Sequence, residues 1–434
     1  MSGSILDYQM GGPSSDVDDF PGEDTNLSPE AKACKPGVPA EHPLGVEYLA
    51  PWRQPGDGFA EHSRRCARAL AMAGAPVHLK GTSASFDAPD EEIELQVRDL
   101  LQASIARYSV RVVQIVPTSS ALRGFLTHSR MPSQLTAARN AATALYTVWE
   151  RDGIGDASKT LMPLAGQLWV ANNANGAMLA RAGLDVSGMR VIPVPYLPAD
   201  AHLALHGRPA RSGPVRFYHI GKWEDRKAQD KIIGAFMMAF RPGQAELLIK
   251  TSAGSPDFGP TFPNTPFDAA ALWMKDARVS ANGWTTDNLS PSIRMIRAQL
   301  SSEKLLALHE MCDVYVTLSR GEGFDMPAFD AKLSGNRMIY TPSGGPQDFA
   351  SEDDILVPYT GNVPANPWYQ WGPEATWGDF EVRVASEAFA RAASDGKRVH
   401  DRRVDLSRFA AQAVGERMLE GLQELAIKLG GKVF

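Results

Sequence analysis

The feature that most restricts the fold of this chain is a pair of successive series in which short apolar runs alternate with helical segments. They are separated by a stretch rich in Gly, Pro and Arg at 206–214. In the first series Val46, Tyr48 and Leu49 form a strand and Pro55-Gly56-Asp57-Gly58-Phe59 a turn. Cys66, Leu70 and Ala73 then share one side of a helix that Gly74 closes. Apolar runs recur at Val77–Leu79, Val110–Val116, Ala144–Trp149 and Leu168–Ala171. The second series reads as strand Val215–Ile220, helix Lys231–Phe240 and strands Leu247–Lys250 and Ile293–Ala298. A helix to Met311 capped by Ser301, strand Val314–Leu318 and helix Ala328–Ser334 follow. Residues 252–292 carry Pro and Gly without a clear period and are expected to run over the surface. Strands alternating with helices build parallel sheets with helices on both faces. Near the end, Val414, Met418, Leu422, Leu425 and Leu429 place an apolar stripe on a helix of about four turns, which has to pack against another element.

At roughly 150 residues per domain, a chain of 434 residues holds two or three domains. The reading is an α/β protein of two doubly wound domains, 43–208 and 209–404, followed by a helical segment 405–434. Residues 1–42 carry eight acids against Lys32 and Lys35, which accounts for the whole net charge of −6. That segment has too little apolar surface to offset its ordering entropy and is expected to be a disordered acidic tail. Asp16-Val17-Asp18 within it reads as part of this solvated run, because a metal site needs rigid ligands. Residues 43–205 hold 15 Lys and Arg against 14 Asp and Glu. Binding to nucleic acid or to a membrane surface is driven by clustered basic residues, so neither partner is expected. The cysteines Cys34, Cys66 and Cys312 are too few and too scattered for a disulfide framework or a metal set, which points to a reduced, cytoplasmic setting. The acidic start does not resemble a secretory signal, and the longest near-apolar stretch, Ile232–Phe240, is about half a bilayer span.

Two loops carry candidate chemistry. Leu318-Ser319-Arg320-Gly321-Glu322-Gly323-Phe324-Asp325-Met326-Pro327 follows a strand and opens a helix that contains Asp330. Open α/β sheets bind ligands beyond the carboxyl ends of their strands. Gly321 and Gly323 allow close backbone approach, and the amides near Phe324–Met326 start a helix, where the dipole favours an anion. Glu322 and Asp330 can accept hydrogen bonds from the hydroxyls of one extended ligand; the same spacing also suits a loop carboxylate and a solvated helix aspartate. The second loop, His219-Ile220-Gly221-Lys222-Trp223-Glu224-Asp225-Arg226-Lys227, ends the first strand of the second series. Lys222, Arg226 and Lys227 suit a diphosphate, and equally suit ordinary compensation of Glu224 and Asp225.

Taken together, Gly221-Lys222 with Lys227, and Glu322 with Asp330 in an E-G-F-x-M-P context, resemble the retaining GT-B glycosyltransferases of the family-4 type. The resemblance extends over about residues 45–425. Gly56-Asp57-Gly58 is similar to the glycine turn of the first domain and Trp149-Glu150-Arg151 to a strand-end glutamate. Trp169–Asn172, Ala182-Gly183-Leu184 and Val191-Ile192-Pro193 are similar to the stretch that closes that domain. The resemblance implies two Rossmann-like domains facing a cleft, with the last helix crossing back to the first domain. It implies that Glu322 contacts a donor hexose and Asp330 the ribose, and that Lys222 and Lys227, with Arg226, hold the diphosphate. The backbone at Gly221 and around Gly323, Phe324 and Asp325 would complete the donor site. On the acceptor side it implies Gly58, Glu150 and His62, although His62 also reads as a solvated helix-start histidine. This chain departs from the family at Asp330, where Glu is usual, at Ala228, where Gly is common, and in lacking an obvious first-domain histidine.

The implied reaction moves a hexose from a nucleotide-diphosphate sugar to a hydroxyl of a saccharide or small molecule. It needs no metal or other cofactor and retains the anomeric configuration. No nucleophile suited to a covalent intermediate stands out. The alternatives are a nucleotide-sugar 2-epimerase, a non-catalytic nucleotide-sugar-binding partner protein, and transfer to a modified nucleobase in DNA.

Overall fold

A computed structural model describes residues 44–53, 57–82, 91–103, 110–127, 133–197, 212–251, 262–365, 375–395 and 406–430. The acidic tail, the domain boundaries read near 208 and 404, and Cys34 lie outside them.

In the two six-stranded sheets parallel pairing follows from the alternation of strands and helices; Gly361–Pro364 and Thr376–Asp379 form a separate antiparallel pair. The first sheet contains β1 (Val46–Ala50), β2 (Val77–Gly81), β3 (Val110–Gln114), β4 (Thr143–Thr147), β5 (Gln167–Val170) and β6 (Arg190–Val191), in the order β2-β1-β3-β4-β5-β6. The second contains β7 (Val215–Ile220), β8 (Ala245–Lys250), β9 (Ile293–Ile296), β10 (Val314–Thr317), β11 (Arg337–Tyr340) and β12 (Ile355–Leu356), in the order β12-β11-β10-β7-β8-β9. Chain order reverses at β1/β3 in the first sheet and at β7/β10 in the second. Each reversal leaves a crevice at the carboxyl edge of its sheet, because successive connections leave to opposite faces there.

The last helix, Ala411–Lys428, lies on the first helix, Gly58–Met72. Val414, Met418, Leu422 and Leu425 join Cys66 and Leu70 in one core. Gly415 permits this approach, since a Cβ there would overlap the carbonyl oxygen of Ala69. The same core continues across the domains through Tyr218, Ile220, Leu248 and Tyr315, so the two sheets meet with their carboxyl edges apposed.

The expectation that 252–292 runs over the surface needs correction for its described part. Residues 262–292 include the helices Pro266–Trp273 and Ala277–Ala281, which bury Ala269, Ala270 and Val279. Trp273 and Trp284 lie against the helix Gln229–Ala239. The Trp273 indole donates to the Asp230 carbonyl at 2.8 Å, and that of Trp284 to the Phe240 carbonyl at 2.8 Å. Tryptophan packing, which has no short sequence period, holds this excursion to the domain.

Candidate functional site

The site grows from the loops that leave β7 and β10, the strands flanking the second crevice. After β7 the chain makes a tight turn, Asp225–Lys227, that ends at Ala228 with φ +49°. This left-handed backbone disfavours a side chain, which accounts for the glycine common here in the family the sequence resembles. Gln229 clips the turn: its side chain donates to the Lys222 carbonyl at 2.6 Å and accepts from the Glu224 amide at 3.1 Å.

The two loops are stapled by reciprocal arginines. Arg226 donates to the Gly321 carbonyl at 2.7 Å, and Arg320 donates to both the carbonyl and the carboxylate of Asp225. Arg226 also holds Glu224 at 2.6 Å and Glu322 at 3.2 Å. Lys227 Nζ lies 2.5 Å from the other oxygen of Glu322. Burial alone would raise the pKa of Glu322, but Lys227 and Arg226 hold it down at about 2. Burial alone would lower that of Lys227, and Glu322 outweighs it so that the ammonium is favoured. The pair is an internal salt bridge at the carboxyl edge of the sheet.

Asp325 begins the helix Met326–Leu333 from a left-handed conformation, φ +68°. Its carboxylate accepts the Thr317 hydroxyl at 2.5 Å and caps the Ala328 amide at 3.4 Å. Burial, reinforced by the neighbouring Glu322, raises its pKa to about 6. The helix start is thus capped by its own side chain. Phe324 points away from the loop into an aromatic cluster with Phe329, Phe349 and Phe409, so its side chain is core.

The first domain closes over these loops. A Cβ at Gly321 would overlap the Glu150 carbonyl oxygen, and one at Gly323 would sit 2.8 Å from Val148 Cβ. Both glycines are therefore required by the domain contact. The Asn172 side chain donates to the Gly323 carbonyl. Glu150 reaches Arg226 at 3.3 Å; burial, together with Glu322 and Glu224, raises its pKa against the pull of Arg226. In the glycine turn, Asp57 caps the first helix through the Phe59 and Ala60 amides at 2.9 and 3.0 Å. Its other oxygen is 3.4 Å from Lys222 Nζ. A Cβ at Gly58 would lie 3.7 Å from Met326 Cγ.

The structure thus brings Glu322, Lys227, Arg226, Asp325 and Glu150 together, with Lys222 and Gly58 at the rim. Three readings change. His62 is buried rather than solvated and 2.7 Å from the Tyr146 hydroxyl. Burial and then Arg65 push its pKa down to about 3, so it is a neutral core histidine. Asp330 is taken up across the cleft by Arg65, at 2.9 and 3.3 Å. The Gly221 amide is spent on the Lys250 carbonyl at 3.0 Å. The neighbours of Arg65 are no free anion site either: Arg64 pairs with Glu61 and Arg68 with Asp99.

Sequence reasoning missed Asp225 and Arg320 as staples and Ser343-Gly344-Gly345 after β11. Cβ atoms at Gly344 and Gly345 would overlap the carbonyl oxygens of Glu322 and Phe324, so this turn forms the floor under the site loop. A Gly-Gly-Pro step after an apolar run was the available signal. Among the described residues, no group of three or more His, Cys, Asp or Glu side chains is placed to hold a metal ion, and no helix is long and apolar enough to cross a membrane.

No protein-family model matches the sequence, and no curated protein matches it. Solved structures do match in fold. An α,α-trehalose-6-phosphate synthase from Burkholderia multivorans aligns over 89% of this chain and 99% of its own, at 12% identity and a TM-score of 0.57. A glycosyltransferase from Rickettsia africae aligns over 88% and 98%, at 12% identity and 0.57. A trehalose-6-phosphate structure from E. coli bound with UDP-2-fluoro glucose aligns over 88% and 99%, at 8% identity and 0.54. At such identities the likeness concerns the fold: two Rossmann-like domains in the GT-B arrangement.

Proposed function

We propose that this chain is a glycosyltransferase that moves a hexose from a nucleotide-diphosphate sugar to a hydroxyl acceptor, with retained configuration and without a metal. The observation that carries the reading is the buried Glu322, held ionised between Lys227 and Arg226 at the switch point of the second sheet. A carboxylate fixed in this way can accept sugar hydroxyls, while fixed positive charge beside it opposes the negative charge that develops on a departing nucleoside diphosphate. The solved structures of the same fold support the substrate class, one of them holding a UDP sugar. Transfer on the same face as the leaving phosphate fits a site in which the nearby carboxylates are committed to basic partners. Apposed domains exclude competing water.

The test is a thermal-shift screen against UDP-, GDP-, ADP- and TDP-hexoses without added metal, followed by a transfer assay with the donor that stabilises the chain. Loss of turnover in Glu322→Gln, with the donor shift of the parent retained or weakened, is the expected result. Unchanged turnover in that variant overturns the assignment. The engagement of Asp330 by Arg65 favours one second reading, a nucleotide-sugar binder that does not turn over. Donor binding with neither transfer nor hydrolysis would establish it.

A further inference from the structure

Charge in the crevice does not balance for an anionic guest. Arg226 and Lys227 face three carboxylates, Glu150, Glu224 and Glu322, at 2.5–3.3 Å. A diphosphate entering this cluster meets no net positive charge, so its binding needs cations that the cluster has not already neutralised. Lys222 stands at the rim, with its side chain 53% exposed and Asp57 at 3.4 Å.

Lys250 is different. It ends β8 at the carboxyl edge of the sheet, in register between Ile220 of β7 and Ile296 of β9. Its carbonyl accepts the Gly221 amide, which ties it to the basic turn of β7. The residue is 8% exposed, yet among the described residues its ammonium pairs with no carboxylate and reaches a single carbonyl, that of Thr251, at 3.5 Å. Burial without a counter-charge costs a cation heavily, and here it lowers the pKa of the group. A folded chain keeps such a residue at a ligand crevice when something else supplies the negative charge.

We propose that Lys250 is a binding residue for the diphosphate of the donor, supplying with Lys222 the positive charge that Glu150, Glu224 and Glu322 cancel on Arg226 and Lys227. This rests on the nucleotide-sugar reading above and adds a position that the resemblance of the sequence does not assign.

The experiment is calorimetric titration of the full-length chain, Lys250→Met and Lys250→Arg with UDP, GDP, ADP and inorganic pyrophosphate. The Met variant should bind the preferred diphosphate and pyrophosphate about tenfold or more weakly, the scale of one lost charged hydrogen bond. The Arg variant should recover most of that affinity. The Met variant should also melt no lower than the parent without ligand, because an unpaired buried charge has been removed, which separates lost binding from lost folding. Parental affinity in a folded Met variant overturns the proposal. If the parent binds pyrophosphate through Lys250 but no nucleoside diphosphate, the anion site stands and the nucleotide-sugar reading falls. If the parent binds neither, both fall.

Discussion

The two sheets share parallel topology and six strands each, but their apposed edges differ in chemistry. In the first domain the buried polar network around Tyr146 is neutral. Tyr48 donates to Gln114 at 2.6 Å, and His62 meets the Tyr146 hydroxyl, which donates to the Ile192 carbonyl. Burial pushes the Cys66 thiol up to about 12, so it stays protonated. In the second domain the corresponding space is filled by ions: Glu224, Arg226, Lys227, Glu322 and Asp325 are all less than 9% exposed. A buried ionic network costs desolvation and does not by itself stabilise a fold, so its presence at a switch point fits the donor site proposed in the second domain.

The contrast breaks most sharply at Glu322. Its replacement by Gln should lower transfer by about 10²–10³-fold, the scale of a lost transition-state contact. It should also cost about 3–5 kcal/mol of stability, because Lys227 loses its counter-charge in a buried site beside Arg226. Denaturant unfolding beside single-turnover kinetics would separate the two effects. A Glu322→Gln chain as stable as the parent would show that the cluster is hydrated rather than buried.

Replacing Leu422 on the last helix by Ala removes a fully buried side chain from the core shared with the first helix. The expected loss is about 2–5 kcal/mol, with donor binding in the second domain unchanged while the chain remains folded. A variant that lost less than 1 kcal/mol would imply that this helix is only loosely docked.

Asp325 offers a pH test of the ionic edge. Its folded pKa, about 6, lies above its ordinary value of 3.8, so the native state holds the proton more firmly than the unfolded one. Stability from this group is therefore full below the unfolded value and falls as pH rises through about 6. Asp325→Asn does not titrate and tolerates the left-handed backbone. Its stability relative to the parent should rise by on the order of 2 kcal/mol between pH 4 and pH 7. A difference that stays flat across this range would place Asp325 in a solvated setting. The first-domain counterpart has the opposite sign. His62, with a folded pKa of about 3, stabilises the native state above its ordinary value near 6.5, and this is lost as pH falls toward the folded value.

The smallest effect concerns the link between the regions. Arg65 and Asp330 join the domains at 2.9 Å, with the aspartate 31% exposed. A double-mutant cycle with Ala at both positions should give a coupling of about 1 kcal/mol. Zero coupling would mean that this ion pair adds nothing to the joining of the domains.

How much of this was legible depended on the kind of signal. The paired strand series, the glycine turn at Gly58 and the stripe from Val414 to Leu425 follow local periods and were read directly. The spacing of Glu322 and Asp330 marked the right loop, yet gave no hint that Arg65 would occupy the second carboxylate. His62 was misjudged because a polar residue early in a helix is usually solvated, and nothing local announces that Tyr146 will cover it. β11 and β12 were not identified, although Gly344 and Gly345 beside them form the floor of the site.

What the sequence by itself determined is therefore the layering: runs of apolar residues at periods of two and 3.6 can bury their faces only in two helix-covered parallel sheets. Tertiary structure decided which charges meet. Arg226 and Glu322 are 96 residues apart, and Arg65 and Asp330 are 265. Ion pairing depends on distances of a few ångström and on the water excluded around them, and both quantities exist only once the two domains have closed on each other.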